Sequence, residues 1–248
     1  MKRVLVCLTL FAVAASAVSV SMAAAPTDVS EAVGAKELAA AATTKAEDLG
    51  KAFATEATFG RAMESKSIAR DGGVIACLAQ ALVEHKDGEE TGINATGLRD
   101  AALVLSKTKT LADAKAALTN VTEALTGKGE KGEKDHPWNK LVNMHRMMEE
   151  YELQGGTFRR VLKRPRRLEN YSENAAVLVV LGLAMEADTH EVKDPAKLPQ
   201  GTTWSKEYHQ AMSGLNTAIK AGDGAKAKSI FDAASESCET CHKVFRNE

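Results

Sequence analysis

The 248-residue chain is short of several things, and each shortage narrows what it can be. Aromatic residues make up only 4% of it, and no stretch alternates polar and apolar residues with a period of two, so strands have little support. Four cysteines, widely scattered except for one pair, give no disulfide framework. The formal charge is −1, with no concentrated basic surface of the kind that nucleic acid requires. After the first 25 residues no apolar run is long enough to span a membrane. No constellation suited to hydrolytic or other catalysis stands out, so the chain does not read as an enzyme.

What is present is helical. Ala, Leu, Lys and Glu are frequent, and long segments carry apolar residues at three- and four-residue spacings, the pattern of amphipathic helices packed in bundles. The chain opens with Met1-Lys2-Arg3, an apolar stretch over residues 4–20, and small residues from Ser21 to Ala25. This is the layout of a secretory signal peptide, residues 1–25, with a membrane anchor as the competing reading. Its removal makes the chain two units more negative and implies an exported, periplasmic protein.

Residues 127–136 carry three glycines, alternating charge and no apolar side chain, and read as a solvated linker. They divide a helical segment, 26–126, from a second one, 137–248. Each is about the size of four helices, and the two share an order of features. An apolar helix (74–86; 174–187) leads to a loop, a further helix (98–107; from Trp204), a short break (108–110; 222–224) and a last helix. That order argues for a duplicated unit, against one irregular larger bundle.

The strongest motif is Cys238-Glu-Thr-Cys241-His242. On a helix these three side chains lie on one side, so two thiols and an imidazole address one object. CxxCH is the attachment pattern of c-type haem: thioethers from Cys238 and Cys241, with His242 on the iron. Half of a zinc site and a thioredoxin-like redox pair are the alternatives. Zinc wants a second ligand pair, and a redox CxxC wants a βαβ context; the sequence offers neither. The first unit ends at Thr126-Gly127 without the motif, so the count is one haem per chain. Cys77, in an apolar run, reads as a buried small hydrophobe.

With Phe245-Arg246 after the motif and Ala221-Gly222-Asp223 before the last helix, residues 137–248 resemble the cytochrome c′ family. The resemblance implies a four-helix bundle with haem c held by Cys238 and Cys241, His242 as the proximal ligand, and Arg246 near the proximal side. It also implies that the first helix of the bundle faces the distal side of the haem. That helix, expected to start at Pro137, carries Met144, Met147 and Met148, with Leu141, Met144, Met148 and Tyr151 on one face. Met144 is the first candidate for a distal iron ligand and Met148 the next; ordinary core packing is the competing role, and His145 is a further candidate.

The other histidines (His85, His136, His190, His209) are expected in loops or on polar faces. Tyr151 and Tyr208 are candidate hydrogen-bond donors to the haem or its ligand. The run Arg159 to Arg167 holds six basic residues and reads as a solvated connector or as a dock for an acidic redox partner. The resulting expectation is an electron-transferring cytochrome, with a five-coordinate haem protein binding nitric oxide or carbon monoxide as the alternative. A third possibility is a haem-free N-terminal half that docks a partner. Family members often dimerise through their first two helices, a surface that a second covalent repeat can occupy here.

Overall fold

A computed structural model describes residues 24–188 and 192–246. The signal-like stretch therefore lies outside the described residues apart from Ala24 and Ala25, as does His190. The described chain is all-helical, with no strand. A one-turn α1 (Val29–Ala32) precedes α2 (Ala35–Ala52), α3 (Glu56–Glu64), α4 (Ser67–Glu84), α5 (Ala95–Leu105) and α6 (Leu111–Leu125). The second half contributes α7 (Met144–Val161), α8 (Ser172–Ala187), α9 (Leu198–Lys220) and α10 (Gly224–Phe245).

Two helices are apolar on nearly all sides. In α8 every residue from Ala175 to Ala184 is buried, and in α4 every residue from Asp71 to Leu82. A helix with no polar face must be enclosed. Accordingly α4 packs against α2, α5, α7 and α8, while α8 packs against α2, α4, α7 and α9. Neighbouring helices pack in chain order in both halves, α2–α4–α5–α6 and α7–α8–α9–α10. The first two helices of each half face each other across the middle. One hydrophobic core runs without a break through both.

A buried ion cluster pins this seam. The Glu150 side chain on α7 is fully buried, with Lys45 Nζ of α2 2.7 Å and Arg70 Nε of α4 3.0 Å away. Asp71 lies 3.0 Å from the same two cations. Gln154 donates to Glu150 at 2.6 Å, and Asn174 of α8 donates to Gln154 at 2.8 Å. Three helices thus bring charges to one cluster, and α8 joins it through the neutral Asn174.

The sequence placed a helix start at Pro137. The structure instead has a single 3-10 turn, Trp138–Lys140, and α7 begins at Met144, where Asn143 accepts from the His145 N–H. Trp138 is drawn away from the helix because its indole is buried and donates to Glu84 of α4 at 2.8 Å. The α9 helix also starts earlier than Trp204, at Leu198, since Pro199 is tolerated in a first turn. Segment 127–136 has mostly exposed side chains, as a solvated connector should, but it is tied down. The Asn94 amide donates to Lys128 O and Glu130 O, and buried Arg99 donates to Glu133 O at 2.6 Å.

Two predictions follow from the seam. Glu150→Ala leaves Lys45 and Arg70 with Asp71 as their one buried anion and should cost about 3–5 kcal/mol in chemical denaturation, the range for breaking a buried ion pair; a loss below about 1 kcal/mol would show that the cluster does not hold the halves. Because the first half packs against α7 and α8, the protein should sediment as a monomer, and a dimeric mass would contradict that arrangement.

Candidate functional site

The final helix starts from a turn in which Gly222 takes φ +67°, a left-handed value that favours glycine. Asp223 then caps it, its side chain accepting from the Lys226 N–H at 3.0 Å. Ala227, Phe231 and Ala234 are buried, and Cys238 and Cys241 continue that stripe at spacings of four and three. The motif is therefore presented to the interior of the second half by the same periodicity that buries the helix.

Cys238, Cys241 and His242 line one cleft together with Ser237. The facing walls are Met148 and Tyr151 of α7, Met185 of α8, and Trp204, Ser205 and Tyr208 of α9. Helices α7 and α10 meet at Phe158 and Phe231, whose rings are 5.9 Å apart, near the end of the bundle remote from the cysteines. Apart from that ring pair these two helices are not closely packed. The Tyr151 and Tyr208 rings stand edge to face at 5.1 Å inside the cleft, and Trp204 and Phe245 do the same at 5.8 Å beside it.

Polar atoms in this wall are sparse and one is unsatisfied. The Tyr151 hydroxyl is buried and makes no hydrogen bond. Burial pushes both the Tyr151 and Tyr208 phenols well above their usual range, so both stay protonated. Burial, with Cys241 alongside, pushes Cys238 to about 11, and burial raises Cys241 as well. A redox CxxC needs the opposite: a lowered thiol at a helix N-terminus. Here the pair lies in the C-terminal third of α10. Zinc fares no better, since among the described residues no group of three His, Cys, Asp or Glu is placed to hold a metal ion.

The donor set suits a flat, largely apolar macrocycle: two protonated thiols and an imidazole on one helix face, with aromatic and methionine walls opposite. The free space is about 40 Å³, so the walls meet. A macrocycle would be accommodated by parting α7 from α10, which are not closely packed against each other.

The structure sorts the distal candidates. Met148 faces the cleft, while Met144 stands one turn away at the first residue of α7 and Met147 is buried in the core. Leu141, expected on the same helical face, is buried ahead of the helix. The His145 side chain is 73% exposed, beside Glu149. Arg246 is exposed at the C-cap of α10, its N–H bonded to His242 O, and does not line the cleft.

His85 and His209, expected on polar faces, are instead buried. His85 Nε2 lies 3.1 Å from Val33 O. His209 follows Tyr208 into the interior, with Nδ1 3.3 Å from Glu186. It can do so because Gly182 of α8 leaves room; a Cβ there would stand 3.0 Å from His209 Cα. His136 is half-buried, with Nε2 enclosed. Cys77 is a free, fully buried thiol.

Sequence reasoning passed over Met185, Trp204, Ser205 and Ser237. Trp204 and Tyr208, four residues apart in a chain poor in aromatics, were a usable signal. Met185 had none, because α8 is apolar all round.

The basic run Arg159 to Arg167 is exposed except for Val161 and Leu162. It sits at the other end of the bundle, where Gly224 is close enough to Pro165 that a Cβ would come within 2.6 Å. Fourteen residues of α10 separate that point from Cys238, roughly 20 Å along the axis. The run does not border the cleft.

Compared with protein-family descriptions, curated proteins and solved structures, the chain matches none.

The buried histidine carries a pH signature. Burial lowers His209 from 6.5 to about 4. Between those values the unfolded chain binds a proton that folded His209 refuses, so stability should fall as pH drops from about 6.5 to about 4. The His209→Gln variant should lose that part of the slope in pH-dependent denaturation; an unchanged slope would show that His209 is protonated in the fold.

Proposed function

We propose that the chain is an exported monohaem c-type cytochrome, with haem c joined to Cys238 and Cys241 and with His242 as the proximal iron ligand. One observation carries this reading: the three side chains of the CxxCH motif line a single cleft, opposite Met148 and Tyr151. The likeness of the terminus to the cytochrome c′ family supports it, as does the signal-like start of the chain. Cys238 and Cys241 would each hold the group through a thioether at sulfur. Haem, when bound, supplies a one-electron iron couple.

The chain's own part is to hold and to exclude. Cys238 and Cys241 fix the group to α10, and His242 faces it from the same helix. Met185, Trp204 and Tyr208 keep water from it. Met148, rather than Met144, is the candidate for the opposite wall because it lines the cleft. As a ligand its thioether would raise the reduction potential and close the iron to added ligands. Such a protein passes single electrons between periplasmic redox partners and needs no catalytic residue.

A second reading, a five-coordinate haem binding nitric oxide or carbon monoxide, is favoured by the Tyr151 hydroxyl. A buried donor with no acceptor costs about 1–3 kcal/mol, and a small ligand in the cleft would relieve it.

The two readings separate spectroscopically. In the first, the oxidised protein is low-spin and the reduced protein binds carbon monoxide slowly or not at all; Met148→Leu makes it high-spin and open, whereas Met144→Leu changes neither. A high-spin wild type that takes up carbon monoxide at once selects the second reading. A low-spin Met148→Leu protein removes Met148 as ligand.

A further inference from the structure

The start of the described chain is fastened to the C-terminal end of α4. Ser30 Oγ accepts from the Lys86 N–H at 3.0 Å, His85 Nε2 lies 3.1 Å from Val33 O, and Asn216 of α9 donates to Ala32 O at 3.4 Å. At the head of this segment the Ala25 N–H donates to Glu84 Oε2 at 2.7 Å. The other oxygen of Glu84 accepts from Gln80 Nε2 at 2.6 Å and from Trp138 Nε1 at 2.8 Å. Gln80 in turn accepts from the buried Arg99 at 2.8 Å.

Glu84 is thus a half-buried carboxylate ringed by three neutral N–H donors. Among the described residues no side-chain cation stands within ion-pair distance of it; Arg99 reaches it only through Gln80. An enclosed carboxylate ordinarily has a counter-charge. Processing of an exported chain can supply one. Cutting the leader peptide turns the nitrogen of the new first residue into an ammonium group, and Ser21, Ala23 and Ala24, just ahead of Ala25, are small residues of the kind that such a cut requires. A chain starting at Ala25 puts that ammonium where the amide already bonds Glu84. A chain starting at Ala24 puts it one residue away, with the Ala25 N–H still in place. A cut after Ala25, the boundary suggested by the sequence, removes the nitrogen altogether.

We propose that Glu84 is the receptor for the mature N-terminus, binding the α-ammonium group exposed when the leader is removed ahead of Ala24 or Ala25. Water cleaves the peptide bond, under an exported-protein peptidase; the new carboxylate leaves with the leader and the amine keeps the proton. Processing then completes a polar cluster that gathers the N-terminus, α4, α5 and Trp138, and so couples maturation to the joining of the two halves. This inference rests on the export reading and is independent of the haem.

The test takes the exported protein through intact mass and N-terminal sequencing, then compares its denaturation with that of Glu84→Gln. Both are repeated with four glycines inserted at the new start, which displaces the ammonium group. The chain should begin at Ala24 or Ala25. Glu84→Gln should lower its folding equilibrium constant about tenfold or more, as expected for a charged hydrogen bond. The insertion should cost the wild type a similar factor, and the two changes together little beyond either alone. A start at Pro26 or later overturns the proposal, as does a Glu84→Gln loss of equal size with and without the insertion. A chain retaining its first 23 residues overturns the export reading, and this inference with it.

Discussion

Glu150 is the group on which the arrangement turns. A carboxylate with no solvent exposure is tolerable only because Lys45 and Arg70 stand within 3.0 Å and Gln154 donates to it. Those partners come from α2, α4 and α7, so the charge cannot be satisfied unless both halves of the chain are together. Two residues before Glu150 is Met148 and one after it is Tyr151, both of which line the cleft. The contact that joins the halves therefore also sets the height and rotation of the helix wall facing the CxxCH motif. In this sense the N-terminal half belongs to the site although none of its residues lines the cleft.

The apolar helices α4 and α8 supply the complementary constraint. Neither has a polar side to turn toward water, so each must be covered by helices from both halves. The same burial keeps the cleft dry, raises the thiols of Cys238 and Cys241 and the two phenols, and holds His209 neutral. These shifts share one cause, which is why they point the same way: each group is kept in its uncharged form.

Much of this was legible in the residues. The all-helical class, the Gly222-Asp223 turn and the common side of Cys238, Cys241 and His242 on one helix all follow from local spacing. What escaped was set by distant partners. Trp138 reads as the start of a helix, but Glu84, more than fifty residues earlier, claims its indole. Losing that start moves the helix boundary to Met144, and Met148 rather than Met144 comes to face the cysteines. His209 looks like a polar-face residue until Gly182 is seen to admit it. Segment 127–136 has the composition of a free linker, and only the buried side chains of Asn94 and Arg99 reveal that it is strapped down.

These constraints leave one position in the second half where two thiols and an imidazole can act on a common object, walled by residues suited to a flat apolar group. The central claim is that this object is a single covalently attached haem. Intact mass spectrometry of the exported, acid-denatured protein tests it most directly. The account predicts the mass of the processed chain plus one haem, lost when Cys238 and Cys241 are both replaced by alanine. A chain purified from a haem-attaching periplasm at its bare polypeptide mass would contradict it.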